Sequence, residues 1–353
     1  MNYPALIIDR AKLQENTEIF SKRCHDSGIS VAAVSKVYCG MAELVQAQVD
    51  GGADWIADSR IENLAKMRDI KIPKILLRLP MISQAKEVVE LSDLSFVSEV
   101  ATCKALSDAA VAAGKVHEVL LMVDVGDLRE GVWPDRAVDV AGEILSMANI
   151  KLKGVGANLT CYGGVLPSGE NMSLLVSVAE EIESRYGVTL EMVSGGNSSS
   201  INLIGTDDMP SRVNMLRLGE SLTIGYETAK GTRVPGLHGD VFTLAAEIVE
   251  IQTKPSVPIG EIGRNAFGDI PVFEDRGLRK RAIVAIGQQD MRPDSIFPKD
   301  RAILVLGSSS DHMILDITDS DSDWKIGDVI EFNLGYGGVL AASTSDYVSK
   351  VII

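Results

Sequence analysis

The first residue of the chain whose type and place indicate reactivity is a lysine at the end of an apolar run. Lys36 is the last residue of the segment from Ile29, ISVAAVSK, whose small and β-branched apolar residues are typical of a buried strand. Burial near cations lowers the pKa of a lysine amine, and the neutral amine can attack a carbonyl group to form a Schiff base. The sequence therefore predicts that Lys36 is a reactive amine.

Polar and small residues also stand at the ends of later apolar segments. They are Arg129 in VDVGDLREG, Asn158 in GANLTCYGG, Asn197 and Ser198 in SGGNSSS, and Arg217 with Gly219 in MLRLGES. Glycine and hydroxyl residues after the last strands of a barrel are typical of loops whose amide groups bind phosphate. A phosphate site together with a reactive lysine suggests pyridoxal phosphate as the cofactor.

The elements that would position these residues are eight apolar segments in the first two thirds of the chain. After ISVAAVSK they begin at Asp54, Lys74, Leu94, His117, Leu152, Leu190 and Asn214. The stretches between them have apolar residues at helical spacing, as in Ala11 to Cys24 and Pro134 to Met147. Such units fit a (β/α)8 TIM-type barrel, which takes ~250 residues and carries its site where the strands end.

The pattern changes after about Ala229. Segments such as VFTLAAEIVEIQT, RAILVLGSS and DVIEFNLG are strand-like, with Gly, Pro and Asp between them and almost no helical periodicity. We therefore predict a barrel at residues 11–229 followed by a C-terminal all-β domain at residues 230–353. Residues 1–10 contain the strand-like YPALIID, which we predict joins the sheet of the β domain.

Composition narrows the class of protein. No apolar run approaches the ~18 residues that a membrane span needs, and the N-terminus has no cleavage-site pattern. The four cysteines and four histidines are scattered without metal-binding spacing, so we expect reduced thiols, a cytoplasmic protein and no metal. A formal charge of −15 without a basic cluster argues against nucleic acid as a partner.

This ordered set of residues resembles the fold type III pyridoxal-phosphate enzymes, the alanine racemase superfamily, and within it the alanine/ornithine racemase family. The resemblance covers nearly the whole chain, including a late motif, GYGGVL, at Tyr336. It implies that Lys36 forms the internal aldimine, that Arg129 faces the cofactor's phenolic oxygen and that Arg217 meets the pyridine nitrogen. The other cofactor-binding residues that it implies are Asn158, Asn197, Ser198, Gly219, Glu220 and Tyr336.

The resemblance extends to a segment of the β domain, GSSSDHMILD. In the obligate dimers of this superfamily the matching segment reaches the partner's active site, which implies a homodimer with shared sites. Asp311, with Asp290 and Gln288, would then bind the substrate. Carboxylates that meet a distal ammonium favour ornithine or a similar basic amino acid as the substrate.

The chain departs from the alanine racemase pattern at the second base. Gln288 stands where that pattern has a tyrosine, and Asn158 stands at the place of a histidine. An amide cannot accept and return a proton near neutral pH. The candidates for a substitute are Cys161, Tyr162, Asp311 and His312. The lysine motif SKVYCG also lacks the phosphate-binding tyrosine four residues after the lysine, and Tyr38 is a candidate substitute.

The residue types favour racemisation. An arginine at the pyridine nitrogen would not protonate it as a carboxylate would, so the ring is a weaker electron sink and the substrate is reprotonated at Cα. We therefore predict an amino-acid racemase that acts through an external aldimine, with Lys36, Arg129 and Asp311 as catalytic residues. The alternatives are a broad-specificity alanine racemase, a basic amino-acid decarboxylase of the same fold, and a non-enzymatic pyridoxal-phosphate carrier.

Overall fold

The computed structural model describes residues 1–265 and 267–353. The chain divides into two compact units. The barrel unit is Ala11–Gly239, and the β unit is Met1–Arg10 together with Asp240–Ile353. The barrel unit includes the segment up to Gly239, where the backbone of His238 exchanges two hydrogen bonds with the side chain of Asn16 in the first barrel helix.

The first strand of the chain, β1 (Ala5–Ile8), lies in the β unit. Eight parallel strands then close into a barrel, which confirms the predicted architecture. They are β2 (Ser30–Val34), β3 (Trp55–Asp58), β4 (Lys74–Leu76), β5 (Leu94–Val97), β6 (His117–Met122), β7 (Ile150–Gly156), β8 (Met192–Ser194) and β9 (Met215–Leu218). The helices that alternate with them are α1 (Arg10–His25), α2 (Ala42–Asp50), α3 (Ile61–Lys66), α4 (Ala85–Leu91), α5 (Val100–Ala113), α6 (Pro134–Leu145), α7 (Gly169–Tyr186) and α8 (Glu220–Ile224).

Side chains of the strands pack together in a core cluster of the barrel. Small residues such as Ala32 and Ala57 pack in the same cluster as large ones such as Phe96 and Met122. Burying a side chain as large as Phe96 stabilises the fold by ~1.5–3 kcal/mol. The core holds the strands in place, so the loops at their carboxyl ends are anchored on a rigid support.

The strands of the β unit form one connected sheet in the order β12-β15-β10-β11-β14-β13, and β1 pairs with β10 and with β16. Their bounds are β10 (Phe242–Pro255), β11 (Leu278–Val284), β12 (Ile296–Pro298), β13 (Leu304–Ser308), β14 (Met313–Asp316), β15 (Val329–Leu334) and β16 (Ser349–Ile352). The residues YPALIID thus contribute a strand to this sheet, antiparallel to β10 and parallel to β16.

The expectation of an all-β domain is wrong at one segment. Helix α9 (Tyr336–Thr344) follows β15 directly. Its paired glycines have low helix propensity, which hid it from sequence reasoning. A Cβ atom at Gly338 would overlap the carbonyl oxygen of Ser295, so the helix needs a glycine here in order to pack. Among the described residues, none of the helices has the length and apolar character that crossing a membrane requires.

We expect the barrel unit to lose stability in mild acid through His117 at the start of β6. Its imidazole is buried, with Nε2 2.8 Å from Ser95 Oγ, and burial lowers its pKa from 6.5 to about 4. As the pH falls through this window, the unfolded chain binds a proton that the folded chain does not, so stability falls with pH. The difference in pKa corresponds to a loss of ~3 kcal/mol by about pH 4.

Urea unfolding across this pH window tests the expectation. The variant His117→Gln keeps a polar side chain but cannot titrate, so its unfolding free energy should change less with pH than that of the wild type. Equal pH dependence in the two proteins would show that His117 does not cause the loss.

Candidate active site

Lys36 lies just beyond the carboxyl end of β2. The strand ends at Val34, and the lysine opens the tight turn Lys36–Tyr38 instead of being the last strand residue. The turn closes where Cys39, with φ of 55°, donates its N–H to the carbonyl oxygen of Lys36 at 3.1 Å. The amine is therefore carried on a turn at the barrel mouth and not on the strand itself.

The surroundings of Lys36 favour its neutral form. Burial is the largest cause that lowers the pKa of this amine. The sulfur of Cys161 acts in the opposite direction, and the guanidinium of Arg129 lowers the pKa further. A lysine with a lowered pKa has a larger neutral fraction near pH 7, which is what attack on a carbonyl requires.

Arg217 on β9 is buried, with 5% of its surface exposed. Its Nη1 donates to Ser194 Oγ at 2.6 Å, and its Nη2 donates to the carbonyl oxygen of Ala157 at 2.8 Å and to Asn158 Oδ1 at 3.2 Å. Burial lowers the pKa of Arg217 to about 10, so the guanidinium remains charged near neutral pH. All three acceptors are neutral oxygens, which leaves this charge able to attract a further acceptor.

An amide cluster lies beside Arg217. Asn197 Nδ2 donates to Asn158 Oδ1 at 2.8 Å, so that oxygen accepts from both Asn197 and Arg217. Asn158 Nδ2 donates in turn to Cys161 Sγ at 3.2 Å. The structure thus brings together three residues that the sequence singled out separately, after β7, β8 and within β9, and adds Cys161 to them.

Backbone amides converge at the start of α8. The N–H groups of Gly219 and Ser221 both donate to Ser198 Oγ at 3.2 Å, and Ser221 Oγ lies 3.1 Å from the same oxygen. Gly196, with φ of +112°, turns the preceding loop in a conformation that favours glycine. Two amides and two hydroxyls at one point can bind a phosphate oxygen.

The side chain of Glu220 lies at the same place. Burial raises the pKa of this carboxyl group, and Thr228 Oγ1 donates to its Oε2 at 3.1 Å. Its charge also acts on Lys36. The resemblance implied Glu220 only as a cofactor-binding residue, so the interaction of its side chain with Lys36 is a feature that only the structure reveals.

Arg129 is exposed and lies in the loop that follows β6. Its guanidinium donates to both carboxylate oxygens of the adjacent Glu130, with Nη2 2.6 Å from Oε1. Burial acts to lower the pKa of Arg129, but the hydrogen bond to Glu130 and nearby negative charges raise it overall. Arg129 is therefore a permanent cation whose charge is partly balanced within its own loop.

Asp127 is a residue of this region that sequence reasoning missed. Its buried carboxylate accepts the backbone N–H groups of Tyr162 at 2.9 Å, and of Cys161 and Val165 at 3.2 Å. Burial acts to raise the pKa of Asp127, but these donors outweigh it and lower the pKa overall. The glycine pair in TCYGG is the sequence signal for this close approach of the two loops, because a Cβ atom at Gly163 would lie 2.6 Å from the carbonyl oxygen of Asp127.

Tyr38 is fully buried, and its hydroxyl donates to Gln48 Oε1 at 2.6 Å. Burial raises the pKa of this hydroxyl well above its usual value. The hydroxyl of Tyr38 is therefore used inside the barrel unit, which argues against this candidate for the missing phosphate-binding tyrosine.

In the β unit, Gln288 and Asp311 lie on two neighbouring loops. The N–H of Gln288 donates to the carbonyl oxygen of Ser309 at 2.9 Å, and its side-chain amide donates to that of Ser308 at 3.3 Å. A Cβ atom at Gly287 would overlap Ser310, so the approach of the loops requires glycine. The exposed turn that follows β13 carries Asp311, whose Oδ2 accepts from Ser310 Oγ at 2.8 Å.

Asp290 is buried close to Gln288, and its Oδ1 accepts a hydrogen bond from Ser345 Oγ at 2.5 Å. Ser345 directly follows α9, so the carboxylate ties the end of this helix to the Gln288 loop. Tyr336 is the first residue of the same helix. The structure therefore groups Gln288 with Asp311 on exposed loops and gives Asp290 a bonding partner inside the β unit.

Comparison with known proteins identifies similar sequences independently of the geometry of the site. The family model described as alanine racemase, N-terminal domain, matches residues 8–227. Ornithine racemase from Acetoanaerobium sticklandii is 46% identical over 352 residues, which cover 99% of this chain and 100% of that protein. Lysine racemase from Thermotoga maritima is 36% identical over 353 residues, 99% of each chain.

Solved structures share the same fold at low identity. Alanine racemase from Bartonella henselae with covalently bound pyridoxal phosphate has a TM-score of 0.75 and 15% identity, with 100% of both chains covered. D-threonine aldolase from Filomicrobium marinum has a TM-score of 0.74 and 17% identity, and the match covers 97% of this chain and 89% of that one. These matches support the two-part architecture over the length of the chain.

Proposed function

The chain belongs to the alanine racemase family, and from this premise we propose that it is a pyridoxal-phosphate-dependent racemase of ornithine or a similar basic amino acid. The observation that carries the proposal is the identity of 46% to an ornithine racemase over nearly the full length of both chains. The lysine racemase match supports the same substrate class, since both substrates carry a distal ammonium.

The barrel unit fits the cofactor. We propose that Lys36 binds its aldehyde carbon and that Arg217 faces the pyridine nitrogen, an acceptor that a buried guanidinium bonded to neutral oxygens can still accommodate. Ser198 and the amides of Gly219 and Ser221 would bind the phosphate, with Asn197 as a further ligand. When bound, the cofactor supplies an electron-withdrawing ring that acidifies the Cα–H bond of an attached amino acid.

The residues of the chain then govern the movement of protons. Lys36 Nζ, whose pKa burial lowers, can take the Cα proton of the substrate and return it. Arg217 keeps its own protons near neutral pH, because its pKa is about 10, and so donates a hydrogen bond without transferring charge. Arg129 would face the phenolic oxygen of the cofactor as a fixed cation. This arrangement favours return of the proton to Cα.

A racemase also needs a proton donor on the opposite face of the substrate. In the barrel unit, Tyr162 and Cys161 are both exposed, but Cys161 Sγ accepts hydrogen bonds from Asn158 and Asn197 and interacts with the charge of Lys36. We propose Cys161 as this donor, with Asp311 of the partner subunit as the competing candidate. Variants of Asp311 separate the two, as described below.

We propose a cytoplasmic homodimer with shared active sites. The turn that carries Asp311 is exposed in the β unit, as a segment that enters a partner would be. The four cysteines are free thiols, which suits a reducing compartment. Gln288, on the loop bonded to this turn, would contact the substrate alongside Asp311.

Isotope exchange tests the function directly. Purified protein is incubated in D2O with single L-amino acids, and deuterium at Cα, chirality and CO2 are followed separately. The proposal expects deuterium uptake with formation of D-ornithine and no CO2. Release of CO2 would instead identify a decarboxylase, and binding of the cofactor without any exchange would identify a carrier.

Substrate choice should depend on Asp311. A carboxylate that faces a substrate ammonium forms a charge-assisted pair, and loss of one partner typically costs ~2–5 kcal/mol. We expect Asp311→Asn to lower kcat/KM for ornithine by at least about tenfold, or ~1.4 kcal/mol. Weak activity on alanine, which has no distal amine, should remain nearly unchanged.

The matched control is Asp321→Asn, which removes an exposed carboxylate elsewhere in the β unit and should alter neither activity. If alanine turnover falls as far as ornithine turnover in Asp311→Asn, then Asp311 takes part in the chemistry. In that case Asp311 replaces Cys161 as the second proton donor, and Asp290 becomes the candidate for binding the distal ammonium of the substrate.

A further inference from the structure

A buried carboxylate lies directly behind the turn that carries Lys36. Asp58, the last residue of β3, has 0% of its surface exposed. Its Oδ2 accepts a hydrogen bond from Ser35 Oγ at 2.6 Å, and Ser35 immediately precedes Lys36. Its Oδ1 accepts from the N–H of Arg60 at 2.9 Å and from Asn63 Nδ2 at 3.1 Å.

These bonds connect the lysine turn to two neighbouring elements. The N–H of Ser35 donates to the carbonyl oxygen of Ala57 in β3 at 2.9 Å, so Ser35 is held to this strand by backbone and side chain. On the other side of the turn, Lys66 Nζ donates to the carbonyl oxygen of Cys39 at 2.9 Å and to Asn63 Oδ1 at 3.1 Å. Asp58 therefore links the start of the turn to β3, and Asn63, through Lys66, links its end to α3.

A buried carboxylate is costly unless its charge is used or well satisfied. Burial raises the pKa of Asp58, while the bonds from Ser35, Asn63 and the backbone oppose this and stabilise the ionised form. The charged groups that act on Lys36 are Cys161, Arg129, Asp58 and Glu220. Among these, Asp58 is the one linked to the lysine turn through the adjacent residue.

We infer that Asp58 is a positioning residue of the reaction, which through Ser35 fixes the turn that carries Lys36 and, as a carboxylate, adds a negative charge to the surroundings of its amine. The inference rests on the proposed function, in which Lys36 moves the Cα proton. It adds to that function a buried residue that would act through Ser35 and not through contact with the substrate. Positioning of a reacting group can change rates by orders of magnitude.

Two variants separate the position of the lysine from its charge environment. Asp58→Asn retains an oxygen that can accept from Ser35 but removes the negative charge. Ser35→Ala retains the Asp58 carboxyl group, with its bonds from Arg60 and Asn63, but removes the bond that transmits position. The control is Asp54→Asn at the opposite end of β3, where Oδ2 of Asp54 accepts the N–H of Val31 at 2.7 Å and ties β3 to β2 in a similar way.

The pH profile of kcat reports groups that titrate in the enzyme–substrate complex, where the lysine amine acts as the base. Removal of a nearby negative charge lowers the pKa of an amine, so the acidic limb in Asp58→Asn should move to lower pH. The pH midpoint of the bound cofactor's visible absorption should move the same way. In Ser35→Ala both midpoints should move less than in Asp58→Asn, because the carboxyl group and its other donors remain, while kcat falls about tenfold or more with little change in KM.

Asp54→Asn should match the wild type in both midpoints and in kcat. A purely structural role for Asp58 would lower the melting temperature of Asp58→Asn and leave both midpoints unchanged, which would overturn the inference. Failure of the proposed function is recognised separately, because the wild-type protein would then form no D-ornithine and take up no deuterium at Cα in D2O.

Discussion

Racemisation is expected to be lost when Lys36 is replaced by alanine. The amine would both bind the cofactor and move the Cα proton, and loss of a proton-transfer group alone typically costs ~10²–10⁴-fold in rate. Because the covalent link is lost as well, we expect turnover to fall by at least about 10⁴-fold. The structure supports this expectation through the lowered pKa of Lys36 at the mouth of the barrel.

Borohydride reduction followed by peptide mass spectrometry measures the covalent link independently of turnover. The wild type should carry the reduced cofactor on Lys36, and Lys36→Ala should carry none. Lys22→Ala, which removes an exposed lysine on α1, is the control and should behave as the wild type. An adduct that persists in Lys36→Ala would assign the cofactor to another lysine.

Activity should return when two impaired variants are mixed. If Asp311 reaches the active site of the partner, a heterodimer of Lys36→Ala and Asp311→Ala contains one site with both residues intact. Random exchange of subunits makes half of the dimers mixed, so the mixture should approach about a quarter of wild-type activity. This recovery should exceed the sum of the activities of the two separate proteins.

The control is a mixture of Lys36→Ala with the double variant Lys36→Ala/Asp311→Ala, in which every site lacks the lysine and no activity should appear. Native mass spectrometry establishes that subunits have exchanged. A fully exchanged first mixture that stays inactive would mean that each active site is built from a single chain.

Some features of the site followed from the sequence because they depend on local pattern. The apolar runs that end near Lys36, Asn158 and Arg217 indicated strands, and a parallel barrel brings the carboxyl ends of its strands to one face. The glycines of SGGNSSS indicated a loop that leaves room for backbone amides. In the structure, Ser198 of this loop accepts hydrogen bonds from the backbone N–H groups of Gly219 and Ser221.

Other features could not be read from the pattern. The helix at Tyr336 was missed because packing against Ser295, and not local propensity, selects its glycines. Tyr38 was a candidate for binding the phosphate, but its hydroxyl donates a hydrogen bond to Gln48 on the following helix. Asp127 and Asp58 resembled ordinary loop and strand-end acids until their burial and their donors were known.

The sequence by itself determined the barrel, the following β domain and the set of residues at the strand ends, because hydrophobic period and strand order are written along the chain. Only the tertiary structure decided which of these residues bond to one another. Arg217 on β9 meets Ala157, which follows β7 on the far side of β8, and Ser35 meets Asp58 on the neighbouring strand. Burial and hydrogen-bond partners set the charge state of each group, and both arise only when distant segments pack together.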